Sequence, residues 1–357
     1  METISKRVLP AQKRGFPPVD ESKLGFGDIF SDHMFKMDYY DGAWHDPRIE
    51  PYGALAISPA AMGLHYGQLI FEGLKCYRHP DGGLALFRPK DNFVRFADSA
   101  RRLCIPDFDQ ELALQALKEL LLEDRNWVPR SPGTTLYIRP FIVATEPHLG
   151  VRPATDYLFM IITGPVAAYY SEGFAPIKIY VEPEYSRAAP GGLGSVKAAA
   201  NYAASLYAAE EASKRGFSQL LWLDPCQHKY IEEVGSMNMF FIIDDEIVTS
   251  PLGGTVLPGI TRDSVMTLAR DWGLPVTERA LSIDEIIEAG RARRLKEAFG
   301  AGTAAVISPV GRLQYKGQDI IVGDEGIGPL TQRLYDELIG IQYGTRPDPH
   351  QWVMKVC

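Results

Sequence analysis

Cysteine is scarce in this chain, with four residues among 357. The four stand far apart in the sequence, at Cys76, Cys104, Cys226 and Cys357, and no C-x-x-C pair occurs. Such spacing fits neither a zinc site nor a disulfide framework. We therefore expect reduced thiols, no bound metal and a cytoplasmic location.

Long apolar runs and an excess of positive charge are also missing. No uninterrupted apolar stretch approaches the roughly 20 residues that a membrane helix requires, and the N-terminal residues lack the apolar segment of a secretory signal. The formal net charge of −8 disfavours general nucleic-acid binding, which depends on a basic surface. The composition therefore predicts a soluble protein with neither a nucleic-acid nor a membrane partner.

Apolar residues make up 46% of the chain and charged residues 23%, which is ordinary for a globular protein. The length is sufficient for two domains. Helical and extended patterns alternate in the first half, which indicates an α+β fold, and residues 164–176 break this pattern. We therefore predict an N-terminal domain over residues 1–165, a linker over 166–176 and a C-terminal domain over 177–357.

Three local patterns predict secondary structure. Ser58-Pro59 is typical of a helix start, with a capping serine and a proline in the first turn. Thr261 is expected to cap a helix that runs to Trp272. The small and apolar residues 301–309 indicate one buried strand.

Three glycines lie just before a single lysine, in the segment Gly191-Gly-Leu-Gly-Ser-Val-Lys197. The alanine-rich residues that follow predict a helix, which Gly216 would end. The spacing lacks the third glycine of a dinucleotide-binding loop and the G-K-[ST] ending of a P-loop. The dipole at a helix N-terminus disfavours an ammonium group and favours a neutral amine. Lys197 is therefore a candidate nucleophile, and the alternative is an ordinary solvated lysine.

Two acidic residues, Glu232 and Glu233, adjoin an apolar strand. In an extended segment they face opposite sides, so one of them should be turned inward. A buried carboxylate requires a charged or hydrogen-bonding partner. The alternative is a solvated pair at the mouth of a hairpin.

Two further segments are suited to binding an anion. Backbone amides and a hydroxyl precede a helix in Gly259-Ile-Thr261, and small residues in 300–305 let a ligand approach a strand. A threonine cap and a tight sheet crossing are the alternatives. A nucleophilic lysine, a buried acid and a phosphate site are together the groups that pyridoxal phosphate requires, for its aldehyde, its pyridine nitrogen and its phosphate.

In the order and spacing of its motifs, the chain resembles the branched-chain amino-acid aminotransferases of the fold-type IV pyridoxal-phosphate class, in the longer form found in eukaryotes and many bacteria. The likeness extends from Asp32 to Gly344. The motifs are Phe71-Glu-Gly-Leu-Lys75, Leu136-Tyr-Ile-Arg-Pro140, Lys197-x-x-x-Asn-Tyr202, Glu233-Val-Gly-Ser-Met-Asn238, Leu257-Pro-Gly-Ile-Thr261 and Gly300-x-Gly-Thr-Ala304. The resemblance implies a smaller N-terminal α/β domain and a larger C-terminal domain with a mixed, β-barrel-like core flanked by helices.

The resemblance also implies roles for the residues that bind the cofactor. Lys197 matches the lysine that bonds to the cofactor aldehyde and transfers the proton, and Glu233 matches the acid that pairs with the pyridine nitrogen. Tyr202 matches the tyrosine at the phenolic oxygen, and Arg95 matches the arginine at the phosphate. The other cofactor-binding residues implied are Ser236, Ile260, Thr261 and Thr303.

For the substrate, the resemblance implies an apolar pocket shared across the interface of a homodimer. The residues implied are Phe30, Phe71 and Tyr137 in the pocket, Tyr66, Leu149 and Val151 from the other subunit, Thr303 and Ala304 at the α-carboxylate, and Arg139 at the distal carboxylate of glutamate.

The activity implied is the transfer of the amino group of L-leucine, L-isoleucine or L-valine to 2-oxoglutarate. A D-amino-acid aminotransferase or an aminodeoxychorismate lyase of the same fold would share Lys197 and Glu233 but would leave the aliphatic-pocket motifs unexplained. A non-catalytic protein that has kept the fold is a more distant alternative. Mammalian mitochondrial relatives carry a redox C-x-x-C after the Gly-Thr-Ala strand, whereas residues 303–308 here contain no cysteine, so we expect no thiol regulation of that kind.

Overall fold

A computed structural model describes residues 3–10, 14, 20–167 and 174–357. The chain divides into two compact units. Unit 1 comprises the described residues up to 167 together with Val196–Ala200 and Gly340–Cys357, and unit 2 comprises residues 174–195 and Asn201–Ile339. The predicted linker falls largely on residues 168–173, which lie outside the described residues, so the proposed domain boundaries stay a prediction.

Unit 1 is built on one nine-stranded sheet. Its strands are β1 (Ser5–Lys6), β2 (His33–Tyr40), β3 (Ala43–Pro51), β4 (Leu69–Phe71), β5 (Leu74–Arg78), β6 (Leu84–Phe87), β7 (Thr135–Ala144), β8 (Tyr157–Val166) and β18 (Val353–Lys355). Its helices are α1 (Met62–Tyr66), α2 (Pro89–Arg102) and α3 (Gln110–Glu123). The strand order is β1-β3-β2-β8-β7-β5-β6-β18, and β4 pairs with β7. A C-terminal strand thus completes the sheet of the N-terminal unit.

The helices α2 and α3 form because their apolar residues recur at helical spacing and their first turns suit a helix start. In α2, Phe93, Phe96 and Ala100 are buried, and Pro89 lies in the first turn, where its missing N–H costs nothing. In α3, the Asp109 carboxylate accepts two backbone N–H groups of the first turn. Both helices contribute buried side chains to the core of unit 1.

The first helix is shorter than the sequence indicates. The predicted start at Ser58 is wrong, because α1 begins at Met62 and ends before Gly67, which has a left-handed φ of 62°. The Ser58 hydroxyl instead accepts the N–H of Ala60 in a local turn. The chain leaves the helix early because β4 pairs with β7 and buries Ile70.

Unit 2 contains a closed barrel. The strands of the unit are β9 (Ile177–Val181), β10 (Gln219–Leu223), β11 (Ile231–Val234), β12 (Met237–Ile243), β13 (Glu246–Thr249), β14 (Val276–Glu278), β15 (Leu295–Gly302), β16 (Val306–Tyr315) and β17 (Gln318–Ile321). The pairings run β11-β10-β9-β16-β15-β12, and β12 pairs back with β11, which closes a six-stranded barrel. Parallel and antiparallel pairs both occur in it. The prediction of an α+β fold with a mixed barrel core is therefore confirmed.

Four more helices accompany these strands. They are α4 (Ala199–Lys214), α5 (Ile260–Asp271), α6 (Ile283–Arg291) and α7 (Pro329–Gln342). Apolar side chains of the barrel strands and of α6 form the core of unit 2. On β15, the buried Glu297 carboxylate accepts the N–H groups of Leu330 and Thr331 and the Thr331 hydroxyl, at 2.7 to 3.0 Å. These bonds cap the first turn of α7.

Two local predictions for unit 2 are wrong. Residues 301–309 form a hairpin rather than one strand, because β15 ends at Gly302, three residues turn, and Val306 starts β16 with a φ of 62°. The small and apolar residues continue through the turn, so the sequence reads as a single strand. The cap of α5 is the extended Gly259 and not Thr261, which lies inside the first turn.

None of the helices among the described residues combines the length and the apolar composition that a membrane span requires. The same residues contain no group of three or more His, Cys, Asp or Glu side chains arranged to hold a metal ion. All four cysteines lie among the described residues, and each is a free thiol.

Candidate active site

Lys197 belongs to unit 1 and lies two residues before α4. Its carbonyl accepts the N–H of Phe71 at 3.0 Å, and the next residue, Ala198, forms a bridge with Ile70 of β4. Its own N–H donates to the hydroxyl of Ser99 on α2 at 3.0 Å. The main chain of Lys197 is therefore held from two sides before the helix begins.

The segment around Lys197 folds as its composition predicts. The expected helix is α4, and Gly216 follows it with a left-handed φ of 81°. Within unit 2, a Cβ at Gly194 would overlap the backbone of Thr255. At this position glycine is needed because two segments of main chain approach each other closely.

The side chain of Lys197 lies beside aromatic residues of unit 1. Its Nζ is 4.8 Å from the centroid of the Phe71 ring. The guanidinium carbon of Arg139 is 4.5 Å from the same centroid and 5.3 Å from that of Tyr137. Arg139 Nη2 donates to the Tyr137 hydroxyl at 2.9 Å, whereas the buried Nε has no hydrogen-bond partner among the described residues. The structure thus brings four of the predicted residues together.

Two other aromatic contacts involve predicted substrate residues. Phe30 stacks on Tyr52 with ring centroids 4.9 Å apart, and Tyr137 meets Phe26 edge to face at 4.9 Å. A Cβ at Gly73 would overlap the Tyr137 hydroxyl. The glycine of the Phe71-Glu-Gly motif therefore makes room for that hydroxyl.

The residues expected to serve a second subunit lie at the surface of unit 1. Tyr66 donates its hydroxyl hydrogen to the Leu149 carbonyl. The residues Leu149 and Val151 are 62% and 83% exposed, and Leu64 is 63% exposed. Together, Leu64, Tyr66, Leu149 and Val151 form an exposed apolar group, which we call the surface patch.

Arg95, the predicted phosphate ligand, is paired with a carboxylate that sequence reasoning missed. Glu72 Oε1 accepts Arg95 Nε at 2.7 Å, and Oε2 accepts Arg95 Nη2 at 2.9 Å. Asn92 Nδ2 donates to Oε2 at 2.9 Å, and the N–H of Gly73 donates to it at 3.1 Å. The sequence did contain a sign of this pair, because Glu72 is the one carboxylate in the mainly apolar segment 69–76 and a buried carboxylate needs a partner.

The charges around Glu72 decide its ionisation. The residue is 1% exposed, and burial by itself raises the pKa of its carboxyl. The charge and hydrogen bonds of Arg95, and then the charge of Lys197, outweigh burial, so the pKa lies below its usual value. Glu72 is therefore an ionised carboxylate at neutral pH.

The main acidic site of unit 2 is at Glu233 on β11, which is 3% exposed. Its Oε1 accepts Asn238 Nδ2 at 3.1 Å and the N–H of Leu257 at 2.9 Å. Its Oε2 lies 2.7 Å from Arg187 Nε. Arg187 Nη2 in turn donates to the carbonyls of Gly194 and Thr255, at 2.9 and 2.6 Å. Asn238 and the Leu257 N–H hold this carboxylate in a fixed orientation, and Arg187 places a positive charge beside it.

The neighbouring Glu232 is also buried, at 7% exposure, so the alternative of a solvated acidic pair is wrong. Burial raises the pKa of Glu232 against the opposing hydrogen bond of Thr255 and the charge of Arg187. Its Oε2 has no hydrogen-bond partner among the described residues. The two adjacent acids therefore differ in their partners rather than in their burial.

The predicted anion-binding residues of unit 2 lie in turns and at helix starts. Ile260 and Thr261 open α5, and a Cβ at Gly259 would overlap the Asn238 side-chain oxygen. Asn238 Nδ2 also donates to the Leu257 carbonyl at 2.9 Å, which ties this loop to Glu233. The remaining predicted residues are Tyr202 in α4, Ser236 between β11 and β12, and Thr303 and Ala304 between β15 and β16. Their roles as ligands stay predictions.

Comparison with known proteins gives a consistent family assignment. A model of the class IV amino-transferases matches residues 69–313. Branched-chain-amino-acid aminotransferase 2 of Bacillus subtilis (strain 168) is 52% identical over 357 residues, which are 100% of this chain and 98% of that protein. Branched-chain-amino-acid transaminase 1 of the same organism is 50% identical over 339 residues, covering 94% and 95% of the two chains.

Solved structures agree with these relatives. The crystal structure of Escherichia coli branched-chain amino acid aminotransferase is similar with a TM-score of 0.76 at 28% identity, covering 91% of this chain and 99% of that one. A T.th. branched-chain amino acid aminotransferase with pyridoxamine 5'-phosphate has a TM-score of 0.74 at 28% identity, covering 90% and 98%. The chain therefore belongs to the class IV aminotransferases, in the family of the branched-chain amino-acid aminotransferases.

Proposed function

We propose that this protein transfers the amino group of L-leucine, L-isoleucine or L-valine to 2-oxoglutarate, giving branched-chain 2-oxo acids and L-glutamate. Enzymes of this class use pyridoxal 5'-phosphate. The names of relatives that cover 100% and 94% of the chain support the branched-chain substrates. The T.th. relative has also been solved with N-(5'-phosphopyridoxyl)-L-glutamate, which supports glutamate as the product.

The residues present fit this cofactor. Lys197 supplies a primary amine and Arg95 a guanidinium, while the start of α5 supplies backbone N–H groups and the Thr261 hydroxyl. Glu233 supplies a buried carboxylate held by an amide and an arginine. When bound, the cofactor supplies an aldehyde for the substrate amine and a ring that withdraws electrons from the carbon that loses its proton.

The chain's own residues then divide the work. Lys197 Nζ would take the proton from the substrate carbon and return it, and the fixed main chain of this lysine would limit where Nζ can reach. The Glu233 carboxylate would keep a proton on the pyridine nitrogen, with its orientation set by Asn238 and the Leu257 N–H. Arg95 and Thr261 would bind the phosphate.

The observation that carries the choice of substrates is the position of Arg139 against the rings of Phe71 and Tyr137. Ring faces accept an aliphatic side chain, whereas the buried Nε of Arg139 is a donor with no partner among the described residues. A distal carboxylate would supply the missing acceptor. One pocket would therefore serve both the branched-chain amino acids and glutamate.

The assignment is tested by the absorption spectrum of the purified holoprotein. L-Leucine alone is expected to convert the cofactor to its amino form, and 2-oxoglutarate is expected to reverse the change. Conversion by D-alanine and not by L-leucine would indicate the D-specific alternative. A protein that shows no cofactor band after pyridoxal phosphate is added would contradict the proposal.

Arg139→Met tests the substrate pocket. Because a hydrogen bond to a charged group is lost, kcat/KM for 2-oxoglutarate is expected to fall about tenfold to hundredfold, and that for L-leucine less than about threefold. Arg215→Met is the matched control, since Arg215 also stacks on a tyrosine, Tyr180, but lies at the surface. Equal losses for both substrates in Arg139→Met would contradict the dual role.

We further propose that the protein is a homodimer in the cytoplasm. The surface patch supports the dimer, because exposed apolar side chains next to one another mark an association surface. Free thiols at all four cysteines are compatible with a reducing compartment. Light scattering after gel filtration is expected to give the dimer mass, and Val151→Asp is expected to give the monomer mass. A monomeric unsubstituted protein would contradict the dimer.

A further inference from the structure

Glu72 has no part in the proposed reaction, yet it lies next to residues that do. It is buried between β4 and β5, and its two oxygens accept from Arg95, Asn92 and the N–H of Gly73. An ionised carboxylate is stable in such a site only when donors of this kind surround it. The arrangement commits the strongest of those donors, the Arg95 guanidinium, to one orientation.

One face of α2 organises these contacts. Asn92, Arg95 and Ser99 are spaced three and four residues apart, so their side chains lie on the same side of the helix. The first two donate to Glu72. The Ser99 hydroxyl donates to the Arg95 carbonyl at 3.0 Å and accepts the N–H of Lys197. Glu72 therefore lies on the side of α2 that also holds the main chain of Lys197.

Glu72 accepts two hydrogen bonds from one edge of the planar Arg95 guanidinium, from Nε and from Nη2. Two parallel N–H···O bonds fix both the plane and the direction of a guanidinium, which a single contact cannot do. We propose that Glu72 is a positioning residue, which holds the Arg95 guanidinium in the orientation that receives the cofactor phosphate. The proposal rests on the proposed function, in which Arg95 binds that phosphate.

A positioning role predicts a selective loss of affinity. An arginine that is already oriented loses little conformational freedom on binding the phosphate, so releasing it should weaken binding of the phosphate in particular. The aldehyde and ring of the cofactor make no use of Arg95 in this proposal. Pyridoxal, which lacks the phosphate, is therefore the reference ligand.

The experiment is a titration of the apoprotein with pyridoxal phosphate and with pyridoxal, followed by absorbance. In Glu72→Gln, the apparent Kd for pyridoxal phosphate is expected to rise about tenfold to hundredfold, because a charged hydrogen-bonding partner of Arg95 is lost. The Kd for pyridoxal is expected to change less than about threefold. Glutamine keeps the shape of the side chain but turns an amide N–H₂ towards the donors of Arg95 and Asn92.

Two further variants separate positioning from simple structural support. Glu297→Gln changes another buried carboxylate, the one that caps α7, and is expected to lower stability without altering the preference for pyridoxal phosphate over pyridoxal. In an Arg95→Gln background, adding Glu72→Gln is expected to change the affinity for pyridoxal phosphate less than about threefold, because the group that Glu72 positions is absent.

The outcomes are distinguishable. If Glu72→Gln binds both ligands equally less well, or retains its preference for pyridoxal phosphate, the positioning role is wrong while the proposed function stands. If the unsubstituted apoprotein does not prefer pyridoxal phosphate, the proposed function fails and this inference fails with it. Should Glu72→Gln not fold by circular dichroism, Glu72→Asp is judged by the same selective loss, because it keeps the charge and shortens the reach.

Discussion

Each unit of this chain contains a buried glutamate paired with an arginine. In unit 1 the pair is Glu72 with Arg95, and in unit 2 it is Glu233 with Arg187. Both have a closest nitrogen–oxygen distance of 2.7 Å, and no side chain in either pair is more than 9% exposed. By burial, charge and distance, the two pairs are nearly the same.

The two pairs differ in which partner holds the other in place. Arg95 gives both Nε and Nη2 to Glu72, so the glutamate orients the arginine. In unit 2, Arg187 Nη2 donates to two backbone carbonyls. Glu233 accepts hydrogen bonds from Asn238 and from a backbone N–H. In unit 2 both partners are fixed independently, and the arginine contributes charge rather than orientation. An ion pair therefore does not identify a catalytic carboxylate until the other bonds of both partners are known.

The largest effect expected from this difference is on the rate of reaction. At saturating cofactor, Glu233→Gln is expected to slow the half-reaction with L-leucine by about 10²- to 10⁴-fold, because an amide cannot keep the proton on the pyridine nitrogen. Stopped-flow absorbance measures this rate. Glu72→Gln should reach nearly the unsubstituted rate once cofactor is saturating, since its defect is in affinity.

The matched control for that experiment is Glu232→Gln, which changes the adjacent buried acid. It is expected to alter the rate less than about threefold, because Glu232 makes none of the hydrogen bonds that orient Glu233. Comparable losses of rate in Glu232→Gln and Glu233→Gln would show that the assignment of the acid to Glu233 is wrong.

The next effect is on stability, and it concerns the arginine of unit 2. Arg187→Leu leaves the Glu233 charge buried without its cation, so the free energy of unfolding is expected to fall by about 3–5 kcal/mol. Urea unfolding of the apoprotein measures the change. Adding Glu233→Gln should recover much of the loss, because the uncompensated charge is then gone. A loss below about 1 kcal/mol would mean that solvent reaches Glu233 and screens it.

The sequence predicts those features of the site that are determined by residues close together in the chain. The helix after Lys197 follows from its alanine content and from Gly216, which are neighbours in the chain. The strands β10 and β12 coincide with short runs of apolar residues, whereas the barrel that they join is implied only by the resemblance. On α6, Ser282 and Glu285 have the spacing of a capping box, and the Ser282 hydroxyl accepts the Glu285 N–H.

The signals that fail are those that depend on tertiary contacts. Glu72 stands 23 residues from Arg95, and its importance appears only when α2 lies against the loop between β4 and β5. The turn after Gly302 is hidden because the apolar pattern does not change there. Ser58 has the chemistry of a cap, but Ala61 forms a bridge with Pro147, so the chain stays extended there and the helix begins only at Met62.

A smaller effect on stability is expected from removing the asparagine side chain that donates to each carboxylate, which is Asn92 for Glu72 and Asn238 for Glu233. Asn92→Ala and Asn238→Ala each remove a hydrogen bond to a buried charge, so each is expected to lower the free energy of unfolding by about 1.5–3 kcal/mol. Asn238→Ala should be the larger, because it also releases the Leu257 carbonyl, and only it should slow the half-reaction. If Asn92→Ala slowed the reaction at saturating cofactor as well, Glu72 would have a role beyond positioning Arg95.

The smallest effect expected is on how the free energy of unfolding depends on pH, to which Glu72 and Glu232 contribute differently. The pKa of Glu72 in the folded protein lies below the usual 4.5, because Arg95, Lys197 and Asn92 outweigh burial. Its contribution to stability is therefore complete above about pH 4.5 and is lost as the pH falls through the folded-state pKa. Burial raises the pKa of Glu232 above 4.5, so ionised Glu232 destabilises the fold as the pH rises through that higher value.

The two glutamine variants should therefore change the stability profile in opposite ways. Urea unfolding between about pH 3 and pH 7 is expected to show that Glu72→Gln reduces the gain in stability with rising pH, since Glu72 contributes that gain below about pH 4.5. Glu232→Gln is expected to increase that gain, because it removes a group that opposes folding only when it is ionised. If the profile of each variant runs parallel to that of the unsubstituted protein, then neither carboxyl changes its pKa on folding. The difference in their partners would then have no electrostatic consequence.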